Sequence, residues 1–391
     1  MTRIAIIGGG IGGLTAALAL RQFGFNAEVF EQAPELLEVG AAIAIWPNAM
    51  RLLVRLGLGD QIMQHAGVIE QVRWLDSSGR LLNSTQFPKS DAPAVALRRA
   101  DLQSALSQAL PGSCIELGKH FQEFQASNEI IARFTNGSAA VCDCLLGCDG
   151  LHSRVRAQIV DDRAPAYRGY AVWRGTAAIS LSELPAKTAM EIYGAGKRFG
   201  IGPVGGNRIG WWATANQNIE PGAQRIADAD DHNWRSDSQQ DLLKLFSGWY
   251  QPVLELIQAT TAESMVKTAA FDRPVTRTWG AGTVTLLGDA IHPMTPNLGQ
   301  GGCMAIEDAV ILARCLQKYG PGQEGLRNYE KLRYTRTKAV AGYSRIYGDV
   351  GQWQNPWATR CRRSMLSLAP QFVTRRLLRL IFDYDAYAVN V

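Results

Sequence analysis

The residues best suited to chemistry lie between 288 and 302, Gly-Asp-Ala-Ile-His-Pro-Met-Thr-Pro-Asn-Leu-Gly-Gln-Gly-Gly. Asp289 sits where an apolar run, Thr283 to Leu287, leaves its strand, so its carboxylate is within reach of a ligand hydroxyl. Gly299, Gly301 and Gly302 then bring bare backbone N–H groups to the start of a helical pattern, Cys303-Met-Ala-Ile-Glu-Asp-Ala-Val-Ile-Leu-Ala. A helix start is electropositive and attracts an anion or an electron-rich ring edge. His292, beside Asp289, can serve either as a structural hydrogen-bonder or as a proton carrier.

A second cluster opens the chain: Arg3-Ile-Ala-Ile-Ile-Gly8-Gly-Gly10-Ile-Gly-Gly13-Leu. In G-x-G-x-x-G, Gly8 makes a tight turn, Gly10 lets the backbone approach a pyrophosphate, and Gly13 lets helix pack on strand. Glu31, eighteen residues beyond Gly13, is placed to accept hydrogen bonds from an adenosine ribose. An acid there suits FAD or NAD and repels the 2′-phosphate of NADP. The elements that must hold these groups are a strand before Gly8, a helix from Thr15 to Phe23 capped near Gly24, and a second strand, Ala27 to Phe30. Residues 4–20 carry no charge, yet the stretch is glycine-broken and has no basic leader, so a secretory signal is not expected. The third marker is Cys142-Asp-Cys-Leu-Leu-Gly-Cys-Asp149-Gly150-Leu-His-Ser153-Arg-Val-Arg156, a strand ending in Asp-Gly and turning into a helix.

These three stretches, in this order, resemble the single-component FAD-dependent aromatic hydroxylases, the family of para-hydroxybenzoate and salicylate hydroxylases. Gly40-Ala-Ala-Ile-Ala-Ile-Trp-Pro-Asn48 and Leu97-Arg-Arg99-Ala-Asp-Leu102 are similar to its urate-hydroxylase and zeaxanthin-epoxidase-like branch. The resemblance runs from Ile4 to about Tyr343. It implies that Gly8, Gly10, Gly13 and Glu31 hold the ADP half of FAD, and that Arg99 contacts the pyrophosphate and ribityl side. It further implies that Asp149 serves both FAD and the pyridine nucleotide, that Asp289 binds the ribityl or pyrophosphate region, and that Gly301 and Gly302 lie at the flavin N1–C2 edge. Cys148 and Ile291 stand where alanine is usual, without consequence for chemistry.

The activity so implied is a monooxygenase: NADH or NADPH reduces FAD, and O2 forms a flavin C4a-hydroperoxide. That species hydroxylates or epoxidises an electron-rich aromatic or unsaturated small molecule. The hard step belongs to the cofactor, so no protein nucleophile is expected. Arg198, Tyr193 and Trp211 or Trp212 are the candidates for positioning substrate. Arg198 is either an anchor for an anionic substrate or a solvent-facing strand residue, and only one of the adjacent tryptophans can face a pocket. There is no second strand–G-x-G-x-x-G–helix unit; Gly194 to Gly200 has the wrong spacing. The reductant is therefore expected to dock only transiently. Rival functions are an FAD-dependent reductase of an isoprenoid-type double bond and a non-catalytic flavin-binding protein.

The chain has 391 residues, 47% of them hydrophobic, enough for two domains and a tail. Nucleotide motifs at both residue 8 and residue 288 require a discontinuous domain. The expected architecture is α/β: a doubly wound, Rossmann-like FAD-binding domain assembled from residues 1–72, 98–166 and 276–345. Substrate-side strands (73–97) and an inserted antiparallel β-sheet substrate domain (167–275) face it, and a helical tail (346–391) follows. The flavin ring is expected at the seam. Polar Gln217 to Gln240 reads as a long surface loop.

Seven cysteines without C-x-x-C read as core packing rather than a metal site, and their odd count suits a reducing cytoplasm. The chain is +5, but Arg360, Arg362, Arg363, Arg375, Arg376 and Arg379 leave 5 − 6 = −1 for everything else. Phe372, Val373, Leu377, Leu380, Ile381 and Tyr384 fall at helical spacing beside them. Two readings follow: residues 360–384 touch an anionic membrane peripherally, or the helix packs on the body with its arginines solvated. Nucleic acid is not an expected partner, and nothing in the sequence marks an oligomeric state.

Overall fold

The computed structural model describes residues 2–36, 42–218 and 239–391. Gly40 and Ala41 of the Gly40–Asn48 motif, and most of the Gln217–Gln240 stretch, lie outside them.

Strand Arg3–Ile7 is apolar and buried on both faces, as a central parallel strand must be. It pairs with Asn26–Phe30 on one side and Cys144–Gly147 on the other; Val284–Leu286 pairs parallel with Cys144–Gly147. Ile115–Glu116 and the short Gly280–Ala281 strand form the edges of this six-stranded sheet. The register places Ile7 beside Phe30 and Gly147, and Gly147 beside Leu286. Four strands therefore end in line, and Gly8, Glu31, Cys148-Asp149 and Gly288-Asp289 all leave the sheet at the same carboxyl edge. In open parallel sheets that edge is where ligands bind. The apolar helices Ile11–Gln22 and Gly301–Tyr319 pack against each other beside the sheet. A Cβ on Gly12 would come within 3.2 Å of Ala305, so glycine permits the close crossing. Gly24, at φ +83°, ends the first helix in the left-handed conformation expected after a helix terminus.

The second sheet has seven strands in the order Met265–Asp272, Ala166–Ala177, Arg208–Asn216, Lys197–Val204, Thr188–Gly194, Gln71–Asp76 and Leu81–Gln86. It is antiparallel except where Thr188–Gly194 runs parallel to Gln71–Asp76. One face is buried under the helices Gln239–Leu245 and Gln251–Ala259, which join Trp173, Phe199 and Trp211 in one core. The other face turns toward the first domain: a Cβ on Gly210 would lie 2.7 Å from Ala42. Ala42–Ile45 belongs to a three-stranded sheet with Ala94–Arg98 and Gly67–Ile69, so the end of the 73–97 stretch pairs here and not in the large sheet. The boundary expected at 345/346 falls inside one continuous 29-residue helix, Gln323–Gly351. Two further helices, Pro356–Leu368 and Gln371–Phe382, complete the tail.

Candidate active site

Gly8 is held at φ +107°, and a Cβ there would lie 2.5 Å from the Cys148 carbonyl oxygen. A Cβ on Gly13 would lie 1.9 Å from the Gly8 carbonyl oxygen. Both positions are closed by backbone. Gly10 differs, because a Cβ built on it meets nothing within 4 Å. It borders a cleft of ≈ 180 Å³ lined by Gly9, Gly10, Glu31, Arg99 and Gln103 among others. Glu31 accepts from the Gly9 N–H at 2.5 Å and from the Ala33 N–H at 2.9 Å, which fixes its carboxylate at the rim of this cleft. Arg99 opens the helix Arg99–Gln108, and one turn later Gln103 donates to the Gly9 carbonyl at 3.1 Å.

Ser153 caps the helix Arg154–Ile159, and one oxygen of Asp149 accepts from the N–H groups of Arg154 (2.8 Å) and Val155 (3.2 Å) in its first turn. Its other oxygen is buried without a partner among the described residues. Burial raises its carboxyl above the ordinary range, against the pull of those N–H donors and Ser153. Asp289 is accessible to solvent yet enclosed by protein on most sides, as a side chain inside a cleft is. That enclosure raises its carboxyl too, partly offset by His292 and Arg99. Asp289 Oδ1 lies 3.8 Å from where a Gly301 Cβ would be, and Ile43 lies 3.0 Å from the Gly302 position. The acid and the helix start thus face one space.

Beneath that space lies a fully buried charge network. His292 Nε2 donates to Asp308 at 2.5 Å; Arg333 donates to Asp308 (2.5 Å) and Glu307 (2.8 Å). Asp308 also accepts from the Gly288 N–H at 3.1 Å, so the network anchors the turn that presents Asp289. Burial would push Asp308 up, but His292 and Arg333 overcome it and hold the carboxyl below its usual range. His292 is fully buried and hydrogen-bonded within this network.

The sheet side corrects two expectations. Trp211 faces away from the first domain, stacked on Phe199 at 5.3 Å with its indole N–H donating to Thr260 at 2.8 Å. It is core; Trp212, on the opposite face, is the one turned inward. Arg198 is neither a free anion anchor nor solvent-facing: it is fully buried and paired with Glu191 at 3.1 Å. It also donates to Gln352 and Asn297, tying the sheet to the turn before Gly299. Tyr193 lies on this inward face but donates to Tyr347 at 2.7 Å, and Tyr347 donates to Glu191, so it too is committed to the network.

One cation on this inward face without a carboxylate among the described residues is Arg174. It shares its face with Trp212, opposite which it pairs in register, and its guanidinium donates to Thr268 at 3.0 Å. It forms no ion pair among the described residues, and burial and nearby Arg99 both weigh against its charge. Sequence reading passed over it, although alternation along Tyr170-Ala-Val-Trp173-Arg174 already sets it opposite the core residue Trp173. Gln103 was missed as well, though its i, i+4 relation to Arg99 marks the same helix face.

An open Gly10, a spare buried acceptor on Asp149 and an accessible Asp289 at a helix start fit an adenine dinucleotide with a flavin ring. The FAD binding domain family matches residues 1–344. The chain belongs to that family. This flavoprotein is 38% identical over 371 residues to an aurachin C monooxygenase/isomerase from Stigmatella aurantiaca, covering 93% of this chain and 94% of that one. It is 35% identical to a 3-amino-4-hydroxybenzoate 2-monooxygenase from Streptomyces cremeus, covering 86% and 84%. The structure of HpxO from Klebsiella pneumoniae, complexed with FAD and uric acid, superposes with a TM-score of 0.87 at 28% identity, covering 98% and 96%. The protein is an FAD-dependent monooxygenase, and its flavin supplies the redox and oxygen chemistry when bound. The groups expected to hold it lie at this edge: Glu31 and Arg99 line the cleft beside Gly10, Asp149 keeps a spare buried acceptor, and Asp289 faces the Gly301 helix start.

Proposed function

We propose that the protein hydroxylates an electron-rich aromatic or heteroaromatic ring, using one atom of O2 and NADH or NADPH as reductant. The ring lies between the flavin edge and the inward face of the seven-stranded sheet, with Arg174 fixing an anionic or strongly electron-rich oxygen of the substrate. Arg174 carries the reading: a guanidinium on the inward face of the sheet, enclosed by protein near Arg99 and without an ion pair among the described residues, is relieved by an incoming negative group. Trp212 supplies a flat apolar wall beside it. The relatives named for 3-amino-4-hydroxybenzoate, 6-hydroxynicotinate and urate act on rings bearing oxygen and nitrogen, a chemistry that suits such a cation. Arg198, through Asn297, holds the pre-helix turn in place rather than touching substrate.

The test is oxidation of NADH and NADPH in air by the FAD-loaded protein, with a panel of phenols, hydroxypyridines, hydroxyquinolines and purines. A compound that accelerates oxidation and gains one oxygen by mass supports the reading. A product that gains hydrogen without oxygen, and forms equally in anaerobic buffer, assigns a reductase instead.

A further inference from the structure

The tail has an outward face that no described residue covers. Fourteen large apolar side chains are exposed among the described residues, and seven of them fall within 357–380: Trp357, Met365, Leu368, Phe372, Val373, Leu377 and Leu380. Trp357 (79% exposed), Leu368 (78%) and Phe372 (73%) are almost as open as in a free peptide. Along Pro356–Leu368, residues 357, 361, 365 and 368 recur at the spacing of one helix face. Along Gln371–Phe382, 373, 377 and 380 do the same. Concentrated exposure of this kind marks an interaction surface.

The inner faces of both helices are fastened. Arg362 is buried and donates to the carbonyls of Gly194 (2.7 Å) and Gly351 (2.6 Å). Asn83 donates to the carbonyls of Leu366 and Ala369, and both helices rest on its strand, Leu81–Gln86. Phe382 packs on Trp46 at 4.5 Å, and Trp46 donates to Leu298 at 3.1 Å, just before Gly299. One face of the tail therefore packs on the body, and the other stays exposed with its arginines.

The free face has one sign of charge. Arg360, Arg363, Arg375, Arg376 and Arg379 are exposed, none forms an ion pair among the described residues, and no acid occurs between Asp349 and Asp383. A second copy docking by this same face would oppose five arginines to five, so self-association through it is disfavoured. An anionic bilayer offers the complement, apolar chains beneath negative headgroups. No described helix is long and apolar enough to cross a membrane, which leaves surface binding. We propose that the outer faces of Pro356–Leu368 and Gln371–Phe382 dock this protein peripherally on an anionic lipid surface. The claim stands independently of the substrate reading.

The test is co-sedimentation of the full-length, FAD-loaded protein with vesicles of phosphatidylcholine alone and of phosphatidylcholine with phosphatidylglycerol. Binding to the anionic vesicles only, reversed by high salt, is expected. Each arginine near an anionic surface is worth roughly five-fold in partitioning, so Arg375→Gln/Arg376→Gln/Arg379→Gln should weaken binding on the order of 100-fold. Phe372→Ser/Leu377→Ser/Leu380→Ser should abolish it, with the flavin spectrum and thermal midpoint unchanged because all six side chains are exposed. Wild-type protein that ignores anionic vesicles overturns the proposal. So does a concentration-dependent dimer dispersed by the serine variant in the absence of vesicle binding, which assigns the face to a second copy.

Discussion

Gly10 and Gly13 belong to one short motif, yet the structure predicts opposite consequences for replacing them by alanine. Gly10 has φ −73° and ψ −178°, ordinary for any residue, and its Cβ would enter open space. Gly10→Ala should leave the FAD-free protein within about 0.5 kcal/mol of wild type. The added methyl then occupies the space through which a pyrophosphate approaches the backbone. Overpacking of that kind costs about 1–3 kcal/mol, or about 5- to 150-fold in Kd for FAD. Gly13→Ala instead drives a methyl to 1.9 Å from the Gly8 carbonyl oxygen. Gly8 cannot yield, because it is held at φ +107° against Cys148. That variant should lose about 3 kcal/mol or more before any cofactor is added. Urea unfolding of the flavin-free proteins, with FAD titrations followed by flavin fluorescence, separates the two. Unchanged FAD affinity in Gly10→Ala, or unchanged stability in Gly13→Ala, would refute the assignment of cradle and packing glycine.

Arg174→Gln should raise KM for the aromatic substrate by about 10- to 150-fold, the worth of a charged hydrogen bond, with FAD affinity unchanged; steady-state kinetics on the compound found by screening decide it. Trp211→Phe should do the reverse, lowering stability by about 1–2 kcal/mol through the lost partner of Thr260 while leaving KM alone, as urea unfolding and the same kinetics would show. Asp308→Asn should cost about 3–5 kcal/mol at neutral pH by removing one of the two buried carboxylates that pair with Arg333. Because the folded-state pKa of Asp308 lies below its unfolded value, its stabilisation is complete above pH ~4 and fades as pH falls through the folded value. The gap between wild type and Asp308→Asn should therefore narrow below pH ~4 in denaturant titrations.

The cradle was legible because its parts are local. Gly8, Glu31, Asp149 and Asp289 each lie within three residues of the end of a parallel strand, and a parallel sheet brings such ends together whatever lies between them. The substrate side was not legible to the same degree. Alternation says that Trp211 and Trp212 face opposite ways but not which way is inward; that is decided by helix Gln251–Ala259, which covers the Trp211 face. Arg198 looked available because its partners Asn297 and Gln352 lie far along the chain and enter only through tertiary packing. The tail's amphipathic pattern was visible, whereas its division into a pinned face and a free one depends on Arg362, Asn83 and Phe382 meeting distant residues.

The central claim is that this single chain binds FAD along the carboxyl edge of its parallel sheet and passes electrons through it to oxygen. The most direct measurement is the visible spectrum of the purified protein, mixed anaerobically with NADH or NADPH in the presence of the aromatic panel and then opened to air. Oxidised flavin bands that bleach with the reduced nucleotide and return with oxygen are expected. A protein that takes up no flavin, or whose flavin neither nucleotide bleaches, would contradict that claim.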